Sequence, residues 1–269
     1  MLYIHTALPA EARPLIDHFS LRAVHRSAPF QLYENTEIRL VVSGVGRTAT
    51  AAAIAYSCGR FIDEPGPWLN VGLAGHASAA LGTPFIVHSA REPSGIQTYY
   101  PVFAFDLPCP TAALHTVDQP ASDYASEVLC DMEGSAFLQT TQRFVPSELA
   151  HSLKIVSDNR HHPWSEINRQ QVPAMIASHL GVVEQLHSTL EGLADAWHIQ
   201  CAPPAHYAWA MERWHFSATQ QNRLHRLLQQ WQAVAPNESP WPSPDAFQRA
   251  SDALTDLEQR LGDPALLPI

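Results

Sequence analysis

Four short apolar runs, each closing on a glycine or an acid, limit what this chain can fold into. Leu2 to Leu8 runs into Pro9 and Glu11, and Gln31 to Val42 ends in Ser43-Gly44-Val45-Gly46. Trp68 to Val71 ends in Gly72-Leu73-Ala74-Gly75, and Leu153 to Val156 ends in Ser157-Asp158-Asn159. Helical stretches follow. Pro9 at a first helical position, with Glu11 in the first turn, predicts a helix to about Phe19. The Ala-rich segment RTATAAAIAYSCGRF follows the second run. Strand, glycine turn and helix in that order are the parts of an α/β layer structure.

The remaining segments fit the same plan. Gln31 to Val42 reads as a hairpin turning near Asn35-Thr36. Pro84 to Ser89 and Ala113 to Thr116 are further strands, and the proline-rich stretch from Glu92 to Pro110 is a loop. Met132 to Phe144 is a helix opened by Asp131 and Glu133, and Trp164 to Trp197 is one long helical segment kinked at Pro173. The expected fold is α/β, a central twisted mixed sheet flanked by helices. Ligands of such sheets bind beyond the carboxyl ends of the strands. Glu11, Gly44 to Gly46, Gly72 to Gly75 and Asp158 would then share one rim.

The character changes after His198. Cys201-Ala202-Pro203-Pro204 breaks the chain, and His206 to Ala235 is helical with Trp209, Trp214, Leu224, Leu227, Leu228 and Trp231 as apolar anchors. A proline-rich linker, Asn237 to Pro244, leads to a last amphipathic helix from Asp245 to Leu261. The expectation is two domains, residues 1–197 and a helical C-terminal extension of residues 198–269. The tryptophans of the extension are read as its packing core.

Composition removes several classes of function. Of 269 residues, 46% are hydrophobic and 16% charged, which suits a folded core. Lys plus Arg is 16 against 26 for Asp plus Glu, a formal charge of -10. That balance argues against nucleic-acid and anionic-membrane partners, which are bound through basic patches. No apolar run reaches the roughly 20 residues of a membrane span, and the first residues do not read as a signal peptide. A cytoplasmic location is expected. Cys58, Cys109, Cys130 and Cys201 lie far apart with no CxxC pair, so free thiols are expected. His5, His151, His161 and His162 have no metal-ligand spacing, so no metal is expected. Ser43-Gly44-Val45-Gly46 lacks the third glycine of a dinucleotide fingerprint.

Taken together, ALPAEARPL, VVSGVGRTATAAA, NVGLAGH, DMEGSA and KIVSDN resemble the nucleoside phosphorylase superfamily, most closely its nucleosidase branch. That branch includes methylthioadenosine/S-adenosylhomocysteine nucleosidase and futalosine hydrolase. The resemblance covers about residues 1–197. It implies a hydrolase that cleaves the N-glycosidic bond of a purine nucleoside without a cofactor, in a family whose members are commonly homodimers. Such cleavage passes through an oxocarbenium-like sugar. The site must protonate the departing base, hold the sugar hydroxyls and direct water. The resemblance assigns these tasks to Asp158, Glu133 and Glu11 in that order. Met132 would pack on the sugar. Lys154, the chain's only lysine, stands where the family has a cation near the water, usually arginine. Gly44, Gly46, Arg47, Leu73, Ala74 and Gly75 complete the implied substrate-binding set, the glycines being read as points of close approach.

Some residues depart from the family pattern. Leu73 replaces a small hydroxyl residue and His76 a glycine. The places of the phosphorylase branch's phosphate-binding arginines hold Ala10-Glu11 and Asn70. A carboxylate at Glu11 would repel phosphate, which prefers Arg forks or backbone nests. Water is therefore favoured as nucleophile. Two alternatives stay open: a phosphorylase using Arg47 and Lys154 for phosphate, and a catalytically degenerate nucleoside-binding protein. Tyr99, Tyr100, Phe103 and Phe105 are unassigned candidates for an aromatic stacked on the base.

Overall fold

Strands buried on both faces need helices above and below them, and this chain has such strands. All five residues of β1 (Leu2–Thr6) and all nine of β10 (Ala150–Asp158) are buried. A computed structural model describes the protein except for residues 25–27, 121–126, 168–169, 244–246 and 263–269. Its described residues fall into two units, Met1–Trp197 and His198–Ile269.

In the first unit the other strands are β2 (Arg22–Ala23), β3 (Gln31–Glu34), β4 (Ile38–Val42), β5 (Trp68–Gly75), β6 (Pro84–Arg91), β7 (Thr98–Tyr99), β8 (Thr111–Thr116) and β9 (Leu129–Asp131). The sheet is mixed and runs β2-β3-β4-β1-β5 on one side. Beyond β5 it closes on itself: β5 pairs with both β10 and β9, and β10-β6-β8-β9 completes a five-strand ring. The parallel core of β4, β1, β5 and β10 fixes the register, with His5 opposite Asn70, Asn70 opposite Ser152 and Gly72 opposite Lys154.

Side-chain alternation along these strands sorts residues between two helical layers. Leu2, Ile4, Leu69, Val71, Leu153 and Ile155 pack with α1 (Pro9–His18), α4 (Val172–Ala177) and α5 (Leu180–Cys201). Tyr3, Trp68, Ala150 and Val156 pack with α2 (Arg47–Arg60) and α3 (Gly134–Thr141). The same parity turns His5, Asn70, Ser152 and Lys154 toward α2 and α3. A polar layer therefore lies within that second core.

The second unit holds α6 (Tyr207–Arg213), α7 (Ala218–Val234) and α8 (Ala250–Leu261). Trp214, Leu224, Leu228, Trp231, Trp241, Leu254 and Leu257 form its core. Ser217 caps α7, accepting from the Gln220 N–H while the Gln220 side chain accepts from the Ser217 N–H. Among the described residues no helix is long and apolar enough to cross a membrane.

The mixed α/β fold is as expected, with three local differences. The segment 164–197 is a short 3₁₀ turn at Trp164–Glu166, then α4, then α5. Pro173 stands at the start of α4, where its missing N–H costs nothing. The helix read from Met132 begins at Gly134, behind the strand β9. The last helix begins at Ala250, and the expected start at Pro244-Asp245 lies outside the described residues.

Candidate active site

The entry of α1 holds the first acid. Glu11 sits in the opening turn, and its Oε2 accepts from the Ala7 N–H at 3.0 Å and the Leu8 N–H at 2.9 Å. Its Oε1 accepts from the Leu73 N–H at 3.0 Å. Burial pushes the Glu11 carboxyl above the ordinary carboxylate range, against the pull of Lys154 and these three N–H groups. A Cβ on Gly72 would lie 3.1 Å from Glu11 Oε1 and 3.2 Å from Lys154 Nζ. Glycine at this position lets acid and cation face each other across the strand.

Lys154 is 2% exposed, and its Nζ lies 3.0 Å from Asp131 Oδ2. Burial alone would favour the neutral amine, but Asp131, Glu133 and Glu11 outweigh it and hold the ammonium above the usual lysine range. Asp131, at the end of β9, also accepts from Thr116 Oγ1 at 2.9 Å and from the Gly134 N–H at 2.8 Å. The second bond satisfies one of the free N–H groups that open α3.

Glu133 stands at the N-cap of α3, buried. Its Oε1 accepts from the Gly46 N–H, at the start of α2, at 2.7 Å. Burial, with Asp131 beside it, pushes its carboxyl up to about 7, while Lys154 and the Gly46 bond oppose the rise. Asp158 ends β10, where the Ser157 hydroxyl donates to its Oδ1 at 2.5 Å and its own carbonyl accepts from the His76 N–H at 3.0 Å.

These elements enclose a cavity of about 360 Å³, within the usual range for small-molecule sites. Glu11, Asp131, Glu133 and Asp158 line it together with Leu73, Ala74, Gly75 and Met132. Among the described residues no Arg, Lys or His lines it.

Other residues named from the sequence fall elsewhere. Lys154 lies behind Asp131 rather than on the wall. Gly44 and Gly46 serve the turn, with φ of +86° and +99°, and Val45 between them is the residue on the wall. Arg47 reaches out to Asp118 Oδ1 at 3.1 Å. Phe103 and Phe105 pack against His151, at ring distances of 5.4 and 5.1 Å. The His161 and His162 N–H groups both donate to Asn159 Oδ1, which shapes the loop after Asp158. Among the described residues, the aromatic side chain that lines the cavity is Trp164, on the 3₁₀ turn after that loop. Its only sequence signal was closeness to Asp158. For Asp131 the sequence signals only a helix opener.

A closed five-strand ring joined to a parallel sheet, with acids gathered at the strand ends, defines the nucleoside phosphorylase-like class of α/β fold, and the chain has that fold. Particular solved structures share it. The apo 5′-methylthioadenosine nucleosidase of Arabidopsis thaliana superposes with a TM-score of 0.61 at 21% identity, over 71% of this chain and 96% of that one. The Helicobacter pylori nucleosidase with 5′-methylthioadenosine in its active site gives 0.59 at 12% identity, over 70% and 98%. The Campylobacter jejuni 5′-methylthioadenosine/S-adenosylhomocysteine nucleosidase gives 0.57 at 14%, over 70% and 99%. At these identities the likeness is one of fold. No protein-family model and no curated protein matches the sequence.

Proposed function

We propose that this protein hydrolyses the N-glycosidic bond of a purine nucleoside or a derivative of one. The observation that carries the reading is the convergence of Glu11, Glu133 and Asp158, from three separate elements, on one sugar-sized cavity. The fold's solved relatives that act on such nucleosides support it.

In the proposed reaction Asp158 delivers a proton to N7 of the base as the N–C1′ bond breaks. The bond's electron pair leaves with the base. Glu133 accepts from the ribose hydroxyls and stabilises the oxocarbenium-like sugar. Water adds to C1′, and its proton passes to Glu11. Burial makes the Glu11 carboxylate a stronger base than one in water. Lys154, paired with Asp131 and set behind it, offsets the repulsion between Glu11 and Glu133.

The cavity wall favours water over phosphate. Its described residues carry four carboxyl groups and no cation, while Lys154 is engaged by Asp131 and Arg47 by Asp118. A dianion entering there would meet like charge without a partner. The test is release of free base from adenosine, inosine, 5′-methylthioadenosine and futalosine in phosphate-free buffer. Turnover without phosphate is expected. A strict requirement for phosphate would support the phosphorylase alternative, and tight binding with no base release would support the binding-protein alternative.

A further inference from the structure

We infer that His5 is a positioning residue: as a neutral ring protonated on Nε2 it forms the middle of a hydrogen-bonded string, Asn70–His5–Ser43–Gly44, which fixes the turn that holds Glu133. The kinetic part of the test rests on the hydrolase reading, and the rest does not.

The direction of the string follows from its ends. Ser43 Oγ lies 2.6 Å from the Gly44 carbonyl oxygen, which can only accept, so the single hydroxyl proton is committed there. His5 Nε2 lies 2.8 Å from the same Oγ and must therefore carry a hydrogen to donate to it. The ring is fully buried, and burial pushes its pKa down to about 3, with Lys154 on the same face adding to the effect. A neutral ring with a hydrogen on Nε2 has a bare, accepting Nδ1.

That acceptor stands 3.1 Å from the Asn70 side chain, whose oxygen faces it. Two acceptors do not bond. Amide oxygen and nitrogen are alike in shape, and hydrogen-bonding sense decides between them. Turning the Asn70 amide brings Nδ2 to His5 as donor. A second observation points the same way. With the oxygen toward His5, Asn70 Nδ2 is buried without a partner, and turning the amide gives it His5 Nδ1 as acceptor.

The far end of the string is the functional one. Gly44 and Gly46 both have positive φ, a loop geometry with little intrinsic stiffness. Ser43 and Gly44 are tied to β1 through N–H bonds to the Thr6 and Ala7 carbonyls, each 3.0 Å. The string adds a hold on the Gly44 carbonyl, two residues before the Gly46 N–H that donates to Glu133. His5 touches no wall of the cavity and acts through this turn.

Two measurements test it. In ¹⁵N-labelled wild-type protein, the His5 ring, assigned by the resonance lost in His5→Gln, should show a protonated Nε2 and a bare Nδ1 without change from pH 5 to pH 8. A ring protonated on Nδ1, or charged at pH 6, would overturn the string. In the kinetic arm, His5→Phe keeps the ring volume and removes both contacts. It should raise KM about tenfold with kcat changed by no more than about threefold, since a lost buried hydrogen bond is typically felt at that scale. His5→Gln, with a donor and an acceptor at its tip, should restore KM to within about threefold of wild type. Equal KM for His5→Phe and wild type, or no rescue by His5→Gln, would overturn the positioning role. Absence of base release by the wild type would count against the hydrolase reading alone, because the ring tautomer is read without substrate.

Discussion

The interior behind the cavity and the interior of the second unit follow opposite rules. Around Lys154 the chain buries an ammonium and three carboxyl groups, and a neutral histidine with its amide and hydroxyl partners lies in the layer beneath. In residues 198–262 the core is leucine and tryptophan, and the indole N–H groups of Trp214, Trp231 and Trp241 each donate to a backbone carbonyl. Hydrophobic burial with satisfied polar tips stabilises without sensitivity to pH. A buried charge cluster is held only by its internal balance, because each ion loses its hydration. The contrast separates a core held by a balance of charges from one held by apolar burial.

The strongest challenge to this contrast is Glu11→Gln, which keeps the shape of the acid and removes its basicity. Base release should fall about 10²- to 10⁴-fold, the usual worth of a positioned general base. A loss under tenfold would remove Glu11 from that role. Next comes Lys154→Met, which strands Asp131 in the interior. Breaking a buried pair costs about 3–5 kcal/mol, so the urea midpoint of the first unit should drop sharply while residues 198–262 keep their hydrogen-exchange protection. The counterpart, Leu254→Ala in α8, should cost about 2–5 kcal/mol through the cavity it leaves, with the same value at pH 5 and pH 8.

A finer test uses the sign of the titrations. The Glu133 carboxyl is raised from 4.5 to about 7 in the folded state. Its contribution to stability is therefore complete below about pH 4.5 and is lost as pH rises through 7. Glu133→Gln should raise the Tm by about 2–12 °C at pH 8, from roughly 1–3 kcal/mol, and should change it little at pH 4. His5 and His151 have the opposite sign: burial lowers them from 6.5 to about 3 and about 4. Their contribution is complete above pH 6.5 and is lost as pH falls toward those values. Protection in the first unit should thus decline on both sides of a maximum, while α7 and α8 stay flat until acid reaches the Glu258 carboxylate, which Arg223 holds below its ordinary range. A flat profile for both units would erase the distinction. The smallest effect belongs to Ser217→Ala, which removes the cap of α7 at a cost of about 1 kcal/mol, independent of pH.

The parts of this architecture that local chemistry encodes were legible in the residues. Glycine turns after apolar runs marked β4 and β5, and acids at run ends marked Glu11 and Asp158. What escaped reading depends on pairings made through space. β9 is three residues long and exists because it bridges β5 and β8. Asp131 looked like a helix opener, and its bond to Lys154 comes only from closing the ring. Arg47 followed the glycine turn in sequence, yet its side chain goes to Asp118. Close approaches fall at Gly72 and, more tightly, at Gly134, where a Cβ would lie 2.9 Å from Asp131 Oδ2, and not at Gly44 or Gly46.

Glu11 hangs from three main-chain amides, those of Ala7, Leu8 and Leu73, and the side chains of the same three residues form part of the cavity surface. Aim and fit are thus carried by different atoms of the same residues. Exchange of these side chains would reshape the chamber while the carboxylate keeps its direction, so on the proposed hydrolysis a new guest could be admitted with Glu11 left in place.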